Sequence, residues 1–307
     1  RNFYYSNPYP DGFYTGNSDS EGFGIDKPQN YYAWEWGDAL FVVLDVYRYY
    51  TANAKPRGWD WTIGKEQYDW FKSTLENSKA KYKMVFAHHV LGETRGGIIP
   101  AIESEWGGYE SNGKNYTFDE NRPGWGLPLH QLMVKNKVDI FFQGHDHLFA
   151  LEKLDSVIYQ TVPMPDDSSY LIGITDNGDA FNGLILKGSG HLLVTVSPDS
   201  ITVDYVSAVL PQHETDSLKN NQVVYNYSIQ NKSENQVATI NHSVLNQTWS
   251  FYPNPASGEI NLIINQSIED DFQIQILNVE GRVVRHFNSS GMMSNKGNSI
   301  QLKLIDD

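Results

Sequence analysis

Two short stretches of the sequence each end a hydrophobic run in histidine. The first, VFAHHV, contains His88 and His89, and the second, DIFFQGHDH, contains His145 and His147. Imidazole is the commonest protein ligand for metal ions near neutral pH, and it suits zinc, iron, manganese and cobalt. In an open α/β sheet, ligands bind just beyond the carboxyl ends of the strands. Because both clusters follow apolar runs of strand length, the pattern predicts a metal site at one edge of a sheet.

The segments around the histidines alternate between apolar runs and amphipathic helices. Residues 39–44 are continuously apolar, which is typical of a strand buried on both faces, and apolar residues recur at helical spacing within 65–78. The order strand, helix, strand, helix, strand predicts an α/β core. In chain order the predicted elements are a strand pair over 31–47 with its turn at Gly37-Asp38, a helix over 65–78, a strand over 82–87, a helix over 127–137 and a strand over 138–143.

Composition divides the chain into three parts. Residues 1–210 contain the α/β core, a Gly-rich stretch over 93–126 that predicts a long loop, and a hairpin over 191–207. Residues 211–248 are rich in Asn, Gln, Ser and Thr, which indicates a linker. Residues 249–307 alternate apolar and polar positions in an all-β pattern. We therefore expect two folded units joined by a linker.

Composition also excludes several classes of function. The net charge of −14 at pH 7 and the sequence pI of about 5.0 argue against a nucleic-acid partner. The absence of cysteine excludes disulfides, thiolate metal sites and cysteine nucleophiles. No apolar run reaches the roughly 18 residues that a membrane-spanning helix needs, so no span is predicted. The sequence begins at Arg1 without a signal-peptide pattern, which we interpret as a fragment or a processed chain.

The histidine motifs of residues 1–210 resemble those of the calcineurin-like metallophosphoesterases, which include the purple acid phosphatases. That family carries Asp-x-His, Gly-Asp, Gly-Asn-His-Glu/Asp, a histidine after a strand, and Gly-His-x-His, in this order. VFAHHV and FQGHDH match the last two elements. The resemblance implies a metallophosphoesterase-like β-sandwich core flanked by helices. It also implies that the metal ligands are His88, His145 and His147, with His89 as the second choice for the first of them.

The resemblance further implies the chemistry. Two divalent or mixed-valence metal ions (iron, zinc or manganese) would activate water for attack on phosphorus in the full-length protein. His145, or a residue outside this sequence, would assist the leaving group. The family's Asp-x-His and Gly-Asn-His-Glu/Asp motifs do not occur before His88, and Gly37-Asp38 is interpreted as a plain turn. We therefore expect the sequence to begin inside the phosphoesterase domain, and the fragment alone to be inactive because it lacks a bridging carboxylate.

Further residues could contribute to such a site. Arg95 follows the first histidine cluster on a Gly-flanked loop, and it is the candidate for binding a phosphate oxygen, with a plain surface arginine as the alternative. Asp146, between the histidines of the second cluster, either orients a metal ligand or is solvated. His130, inside a predicted helix, is interpreted as structural. The residues that could wall a substrate pocket, but that we expect to pack in the core, are Trp59, Trp61 and Trp125.

Residues 249–307 resemble the type A C-terminal sorting domain of the type IX secretion system. The start YPNP, the strand GEINLII and the hairpin NVEGRVV carry the resemblance. It implies a small β-sandwich, here truncated, that the export machinery of certain Gram-negative bacteria recognises. A secreted or cell-surface protein is therefore expected. The alternative is a β-sandwich binding module, for example for carbohydrate.

The sequence as a whole predicts a secreted, metal-dependent hydrolase of phosphate mono- or diesters. The alternative is a secreted or surface-attached binding or adhesion protein on a non-catalytic phosphoesterase scaffold. The expected partners are a phosphate ester as substrate and the type IX secretion machinery, which would recognise residues 249–307.

Overall fold

A computed structural model describes most of the first 230 residues and five strands beyond them. The described residues are 8–18, 30–46, 49–50, 57–90, 97–111, 113–171, 181–230, 249–252, 259–264, 273–277, 283–288 and 299–303. The chain divides into two compact units, Arg1–His242 and Ser243–Asp307.

The described part of the first unit contains thirteen strands and four α-helices. The strands are β1 (Thr15–Gly16), β2 (Tyr32–Trp36), β3 (Ala39–Val43), β4 (Tyr49–Tyr50), β5 (Trp61–Thr62), β6 (Tyr82–Phe86), β7 (Ile140–Gln143), β8 (Phe149–Leu154), β9 (Val157–Thr161), β10 (Leu184–Leu186), β11 (Gly190–Val196), β12 (Ser200–Ser207) and β13 (Val223–Gln230). The helices are α1 (Lys65–Asn77), α2 (Ser104–Gly107), α3 (Phe118–Asn121) and α4 (Leu129–Lys135), with 3-10 turns at Gly58–Asp60, Pro100–Ile102 and Pro211–His213.

Eight of these strands form one mixed sheet in the order β1-β2-β3-β6-β7-β9-β8-β10. The central strands β3, β6, β7 and β9 run parallel, and the outer strands pair antiparallel. β3, β6 and β7 are predominantly apolar runs of the sequence, with Lys83 in β6 and Gln143 in β7 as the polar exceptions. Such runs occupy the middle of a sheet because both of their faces can be covered there. The predicted α/β class is confirmed.

Helices cover one face of this sheet. α1 turns Tyr68, Phe71 and Leu75 inward, and all three are fully buried. This apolar stripe packs in one cluster with Val85 of β6 and Phe141 of β7. α4 contributes a second apolar stripe to the same cluster. Both helices lie where periodicity predicted them. The apolar period in the sequence marks the face that packs on the sheet, and this packing is the main source of helix stability.

A second sheet covers the opposite face. β11, β12 and β13 pair antiparallel in this order. Alternate residues of β12, such as Val203 and Tyr205, face inward and pack in one cluster with Tyr82, Met84 and Phe142 of the main sheet. The first unit is therefore two packed sheets with helices on the outside of the larger one.

β13 differs from the sequence-based expectation. It lies within residues 211–248, whose polar composition indicated a linker. Tyr225, Tyr227 and Ile229 alternate with polar residues along β13 and are buried against the main sheet. In an alternating strand only the residues of the buried face are apolar, and the other half are polar. Its average composition can therefore resemble that of a linker.

The described part of the Gly-rich stretch 93–126 is not a plain loop, because it contains α2 and α3. Trp106 of α2 is fully buried and donates its indole N–H to the Tyr159 hydroxyl at 3.1 Å. Next to it, Glu105 forms an ion pair with Arg122. Helices of four residues are too short to show helical periodicity in a sequence, and tertiary contacts fix them instead.

The second unit is described through its strands alone. They are β14 (Trp249–Tyr252), β15 (Glu259–Ile264), β16 (Gln273–Leu277), β17 (Val283–Asn288) and β18 (Ser299–Lys303). β14, β15 and β18 form one antiparallel sheet, and β16 pairs with β17. Across the described parts of both units, no helix has the length and apolarity to cross a membrane.

Candidate functional site

The two histidine clusters lie at the same edge of the main sheet. β6 and β7 are parallel neighbours, and each cluster begins within two residues of a carboxyl end. Two main-chain hydrogen bonds continue the pairing beyond the strands. The Ala87 N–H donates to the Phe142 carbonyl at 3.1 Å, and the Gly144 N–H donates to the His88 carbonyl at 2.7 Å. The backbone therefore holds one cluster directly beside the other.

Three imidazole rings meet at this edge. His88 Nε2 and His145 Nδ1 are 2.9 Å apart and share a hydrogen bond. The centroid of the His89 ring lies 4.7 Å from that of His145 and 5.4 Å from that of His88. The structure thus brings together His88, His89 and His145, which come from both sequence clusters.

The segment that carries His145 and His147 is a tight turn. Both residues have positive φ, +75° and +57°, a region that few residues other than glycine adopt. They therefore do not share a face as they would in an extended strand. Nδ1 of His147 is buried without a hydrogen-bond partner among the described residues. A buried nitrogen of this kind is costly unless something binds it, so it is a candidate ligand atom.

Burial favours the neutral form of the first cluster. Burial lowers the pKa of His88, and positive charge on His145 and His147 lowers it further. Burial lowers the pKa of His89 to about 4, although a hydrogen bond to the Val90 carbonyl opposes this shift. That carbonyl, 2.5 Å from His89 Nδ1, can only accept, so Nδ1 carries the proton and the ring lone pair is on Nε2. Neutral imidazole is the form that binds a metal ion.

This donor set fits a zinc, iron or manganese ion after a small rearrangement. Within the described ranges, no group of three His, Cys, Asp or Glu side chains is already arranged to hold an ion. One nitrogen of His88 and one of His145 are engaged in their mutual hydrogen bond. An ion would replace that bond with two metal–nitrogen contacts.

A cleft of about 410 Å³ opens beside His88, at the carboxyl ends of β3, β6, β7 and β9. Its walls are largely apolar and include Phe86 and Phe142. Asn30, Asp45 and Gln143 add polar groups. Sequence reasoning missed Asp45, although a signal was present. It follows an apolar strand in the same way that the first histidine cluster does.

Two sequence-predicted candidates have different outcomes. Asp146 is only 2% exposed, so it is buried rather than solvated, and its main-chain N–H donates to the Gly144 carbonyl at 3.0 Å. A role in orienting a ligand remains a prediction. Arg95 lies outside the described residues.

His130 and the tryptophans lie in the core. His130 is buried, with Nδ1 2.9 Å from the Tyr159 hydroxyl and Nε2 2.9 Å from an Asp155 carboxylate oxygen. This agrees with the structural interpretation of His130. The tryptophans that pack in or against the helix-side core are Trp59, Trp61 and Trp125.

Comparison with protein families identifies the C-terminal segment. Residues 250–305 match the secretion system C-terminal sorting domain. Domains of this family mark proteins that the type IX secretion system exports. The protein is therefore secreted or on the cell surface of a Gram-negative bacterium, as the sequence predicted. Among curated proteins, none matches the chain significantly.

Three solved structures are among those with folds similar to this chain. PhoD is 16% identical, with a TM-score of 0.44 over 69% of this chain and 44% of its own. The purple acid phosphatase PPD1 from yellow lupin seeds is 18% identical, with a TM-score of 0.39 over 65% of this chain and 32% of its own. GAP50, the anchor in the inner membrane complex of Plasmodium, is 15% identical, with a TM-score of 0.39 over 64% of this chain and 50% of its own. The chain spans half or less of each of these proteins, and the similarity concerns the fold alone.

Proposed function

We propose that this protein is a secreted, metal-dependent phosphoesterase that hydrolyses phosphate mono- or diesters. The observation that carries the proposal is the meeting of His88, His89 and His145 at the ends of adjacent parallel strands. The order of these histidines in the chain matches the last two metallophosphoesterase motifs. We assign metal binding to His88, His145 and His147, with His89 as the second choice for His88, and iron, zinc or manganese as the metal.

The chain's own contribution is to present neutral nitrogens in fixed places. A bound pair of ions would polarise the phosphoryl group and acidify a water molecule. The main-chain bonds between the two loops hold the imidazoles beside one another, and burial lowers the pKa of His88 and of His89. Both features favour metal binding near neutral pH, because a protonated imidazole has no lone pair to offer.

His145 is also the proposed proton donor to the leaving group. If His88 donates the hydrogen bond from its Nε2, His145 accepts it at Nδ1, and the His145 proton lies on Nε2. In the general-acid role, His145 would act from its protonated, metal-free form, which gives the Nε2 proton to the leaving oxygen of the ester and returns to neutral imidazole. Arg95 is proposed, on its position in the sequence alone, to bind a phosphate oxygen.

The competing proposal is a binding or adhesion protein that keeps this scaffold without catalysis. One observation favours it. The four histidines are all neutral ligands, and in the part of the chain that the structure describes they do not form a ready metal site. An enzyme of this kind needs a carboxylate ligand in addition to these imidazoles.

Metal binding and hydrolysis test the two proposals together. Zinc and manganese affinity is measured by calorimetry for the chain and for His88→Ala, His89→Ala, His145→Ala and His147→Ala. His191→Ala is the control, because this exposed histidine lies on β11, away from the strand ends. We expect affinity to fall at least about tenfold in the His145 and His147 variants and to stay unchanged in the control. A larger loss for His89→Ala than for His88→Ala would exchange those two assignments.

The full-length protein is then assayed with p-nitrophenyl phosphate and its diester. Hydrolysis that disappears in the same variants supports the phosphoesterase. Unchanged metal content in both the His145 and His147 variants would overturn the ligand assignment. Metal binding without hydrolysis of either ester would favour the binding protein.

A further inference from the structure

The side chain of Gln143 joins three strand ends at the histidine edge of the main sheet. Gln143 is the last residue of β7, and its Oε1 accepts the Val90 N–H at 3.4 Å. Its Nε2 donates to Thr161 Oγ1 at 3.1 Å. Val90 follows the first histidine cluster, and Thr161 is the last residue of β9, which pairs with β7. One amide therefore links the loop after β6 with the ends of β7 and β9.

The amide of Gln143 bonds the backbone where the main-chain pairing of β6 and β7 stops. The last main-chain bond of this pair runs from the Gly144 N–H to the His88 carbonyl at 2.7 Å. Beyond it the second loop turns, because His145 has a φ of +75°. The N–H of Val90, two residues after His88, is bonded by a side chain instead. An unpaired buried N–H costs about as much free energy as a lost hydrogen bond, so this contact helps to hold Val90 in place.

The direction of the Gln143 amide follows from its two partners. The Val90 N–H can only donate, so it must face the amide oxygen, whereas the Thr161 hydroxyl can accept from the amide NH₂. Exchanging the two ends of the amide would set its NH₂ group against the Val90 N–H. Gln143 is 3% exposed, and its amide is bonded at both ends. It is therefore a fixed support in the interior.

Val90 in turn fixes an imidazole ring. Its carbonyl oxygen lies 2.5 Å from His89 Nδ1, and its side chain is buried in the helix-side core. The tautomer of a neutral histidine is set by the hydrogen bond that one of its ring nitrogens makes, and here Nδ1 carries the proton. The first histidine cluster thus lies between two anchored points of the backbone, the His88 carbonyl and the Val90 N–H.

We propose that Gln143 is a positioning residue for the candidate metal site. It keeps the backbone of the first histidine cluster in place beside the second, and it keeps the proton of His89 on Nδ1. Its amide is engaged by Val90 and Thr161, so it acts through the histidines. Removing a residue that orients metal ligands typically lowers metal affinity by about 10–100-fold. This inference rests on the proposed phosphoesterase function, because it assigns a support to the metal site of that function.

Two buried glutamines of the same sheet provide a variant and a matched control. Gln143→Met keeps much of the side-chain volume and removes both hydrogen bonds. Gln160→Met is the control, because Gln160 is fully buried but donates to the carbonyls of Ala150 and Thr161, outside the histidine loops. Zinc affinity is measured by calorimetry. The tautomer of His89 is measured in the metal-free chain from the nitrogen NMR shifts of its ring, and stability from the urea midpoint.

We expect Gln143→Met to weaken zinc binding about tenfold and to move part of the His89 population to the tautomer with its proton on Nε2. Both variants should lower the urea midpoint, because each leaves buried polar groups unpaired. Gln160→Met should change neither the zinc affinity nor the tautomer. Equal weakening of zinc binding in the two variants would make Gln143 merely structural. An unchanged zinc affinity or an unchanged tautomer in Gln143→Met would also overturn the proposal.

A second variant covers the case in which Gln143→Met does not fold. Thr161→Val keeps the shape of the side chain and removes the oxygen that accepts from Gln143, so it should change both measurements in the same direction. No change in either would then overturn the proposal. If the unsubstituted chain binds no zinc, the proposed function fails, which is a distinct result. The tautomer in the metal-free chain still decides the role of Gln143.

Discussion

Replacing Arg122 by methionine tests how the first unit keeps a charged residue in its core. Arg122 Nε contacts the carboxylate of Glu105, which is 1% exposed. Nη2 donates to the carbonyls of Trp59 and Trp61, both at 2.9 Å. The guanidinium carbon also lies 5.4 Å from the ring of Trp59 and 5.6 Å from that of Trp125. Methionine keeps much of the volume of the side chain and none of its donors.

The expected loss follows from the carboxylate that stays behind. Removing one partner of a buried ion pair destabilises a protein by about 3–5 kcal/mol, because the other charge remains buried. We expect a loss of this size in the free energy of unfolding at pH 7. Burial already raises the pKa of Glu105, and removal of the guanidinium would raise it further. A carboxyl group whose pKa is higher in the folded than in the unfolded state makes the protein less stable as the pH rises. The difference in unfolding free energy between Arg122→Met and the unsubstituted chain should therefore shrink towards pH 5.

Urea denaturation followed by tryptophan fluorescence at pH 7 and pH 5 measures both quantities. The control is Lys65→Met, which removes an exposed pair with Asp69 and should cost less than about 0.5 kcal/mol. A loss below about 1 kcal/mol in Arg122→Met at pH 7 would refute the reasoning, since it would mean that the carboxylate is not effectively buried. A stability loss that is the same at pH 7 and pH 5 would show that the unpaired carboxylate of Glu105 is not its cause.

The remaining predictions concern the site and its supports. Residues 1–307 assayed with excess manganese, zinc or iron should hydrolyse p-nitrophenyl phosphate far more slowly than the ~1–1,000 per second of ordinary enzymes, and turnover in that range would show that ligands have been missed. Burial lowers the pKa of His130 in the folded state. The contribution of neutral His130 to the free energy of unfolding is therefore fully present above about pH 6.5 and is lost as the pH falls. Unfolding in urea at pH 7.5 and 5.5 should show a smaller pH effect for His130→Phe than for the unsubstituted chain. In Gly97→Ala, the new Cβ would overlap Oε2 of Glu152, which accepts from the Ile98 N–H at 3.1 Å while Oε1 accepts from the Asn182 N–H at 2.8 Å. Displacing that carboxylate should cost about 1–3 kcal/mol, measured as a lower urea midpoint, and an unchanged midpoint would show that the site relaxes freely.

The elements with a strong hydrophobic period could be predicted from the sequence. β3, β6 and β7 are predominantly apolar, and α1 has a clear inward stripe, so each lies close to its predicted position. α2 and α3 could not be predicted, because long-range contacts such as the pair between Glu105 and Arg122 determine them. The residues next to Glu105 in the sequence do not indicate that its partner is 17 residues away.

In the candidate site, too, some residues could be predicted from the sequence and others could not. Motif order pointed to His88, His145 and His147, with His89 as the second choice, and the structure brings His88, His89 and His145 together. It did not point to Asp45, because one aspartate after a strand is common and the residue that holds it, Gln67, lies on a different element. The sequence also did not decide between an extended segment and a turn after Gly144 for His145 and His147, since φ depends on the contacts of the folded loop.

The main-chain bonds that join the two histidine loops have a consequence for protein engineering. The Ala87 and Gly144 N–H groups set the spacing of the loops, and neither bond involves an imidazole. Side chains at the candidate ligand positions His88 and His89 can therefore be exchanged without removing these bonds, whereas the positive φ of His145 and His147 restricts which residues fit there. An aspartate in place of His89 would offer a harder donor that suits manganese, whereas a cysteine there would offer a softer one that suits zinc. The same edge of the sheet could in this way be adapted to favour manganese over zinc, or zinc over manganese.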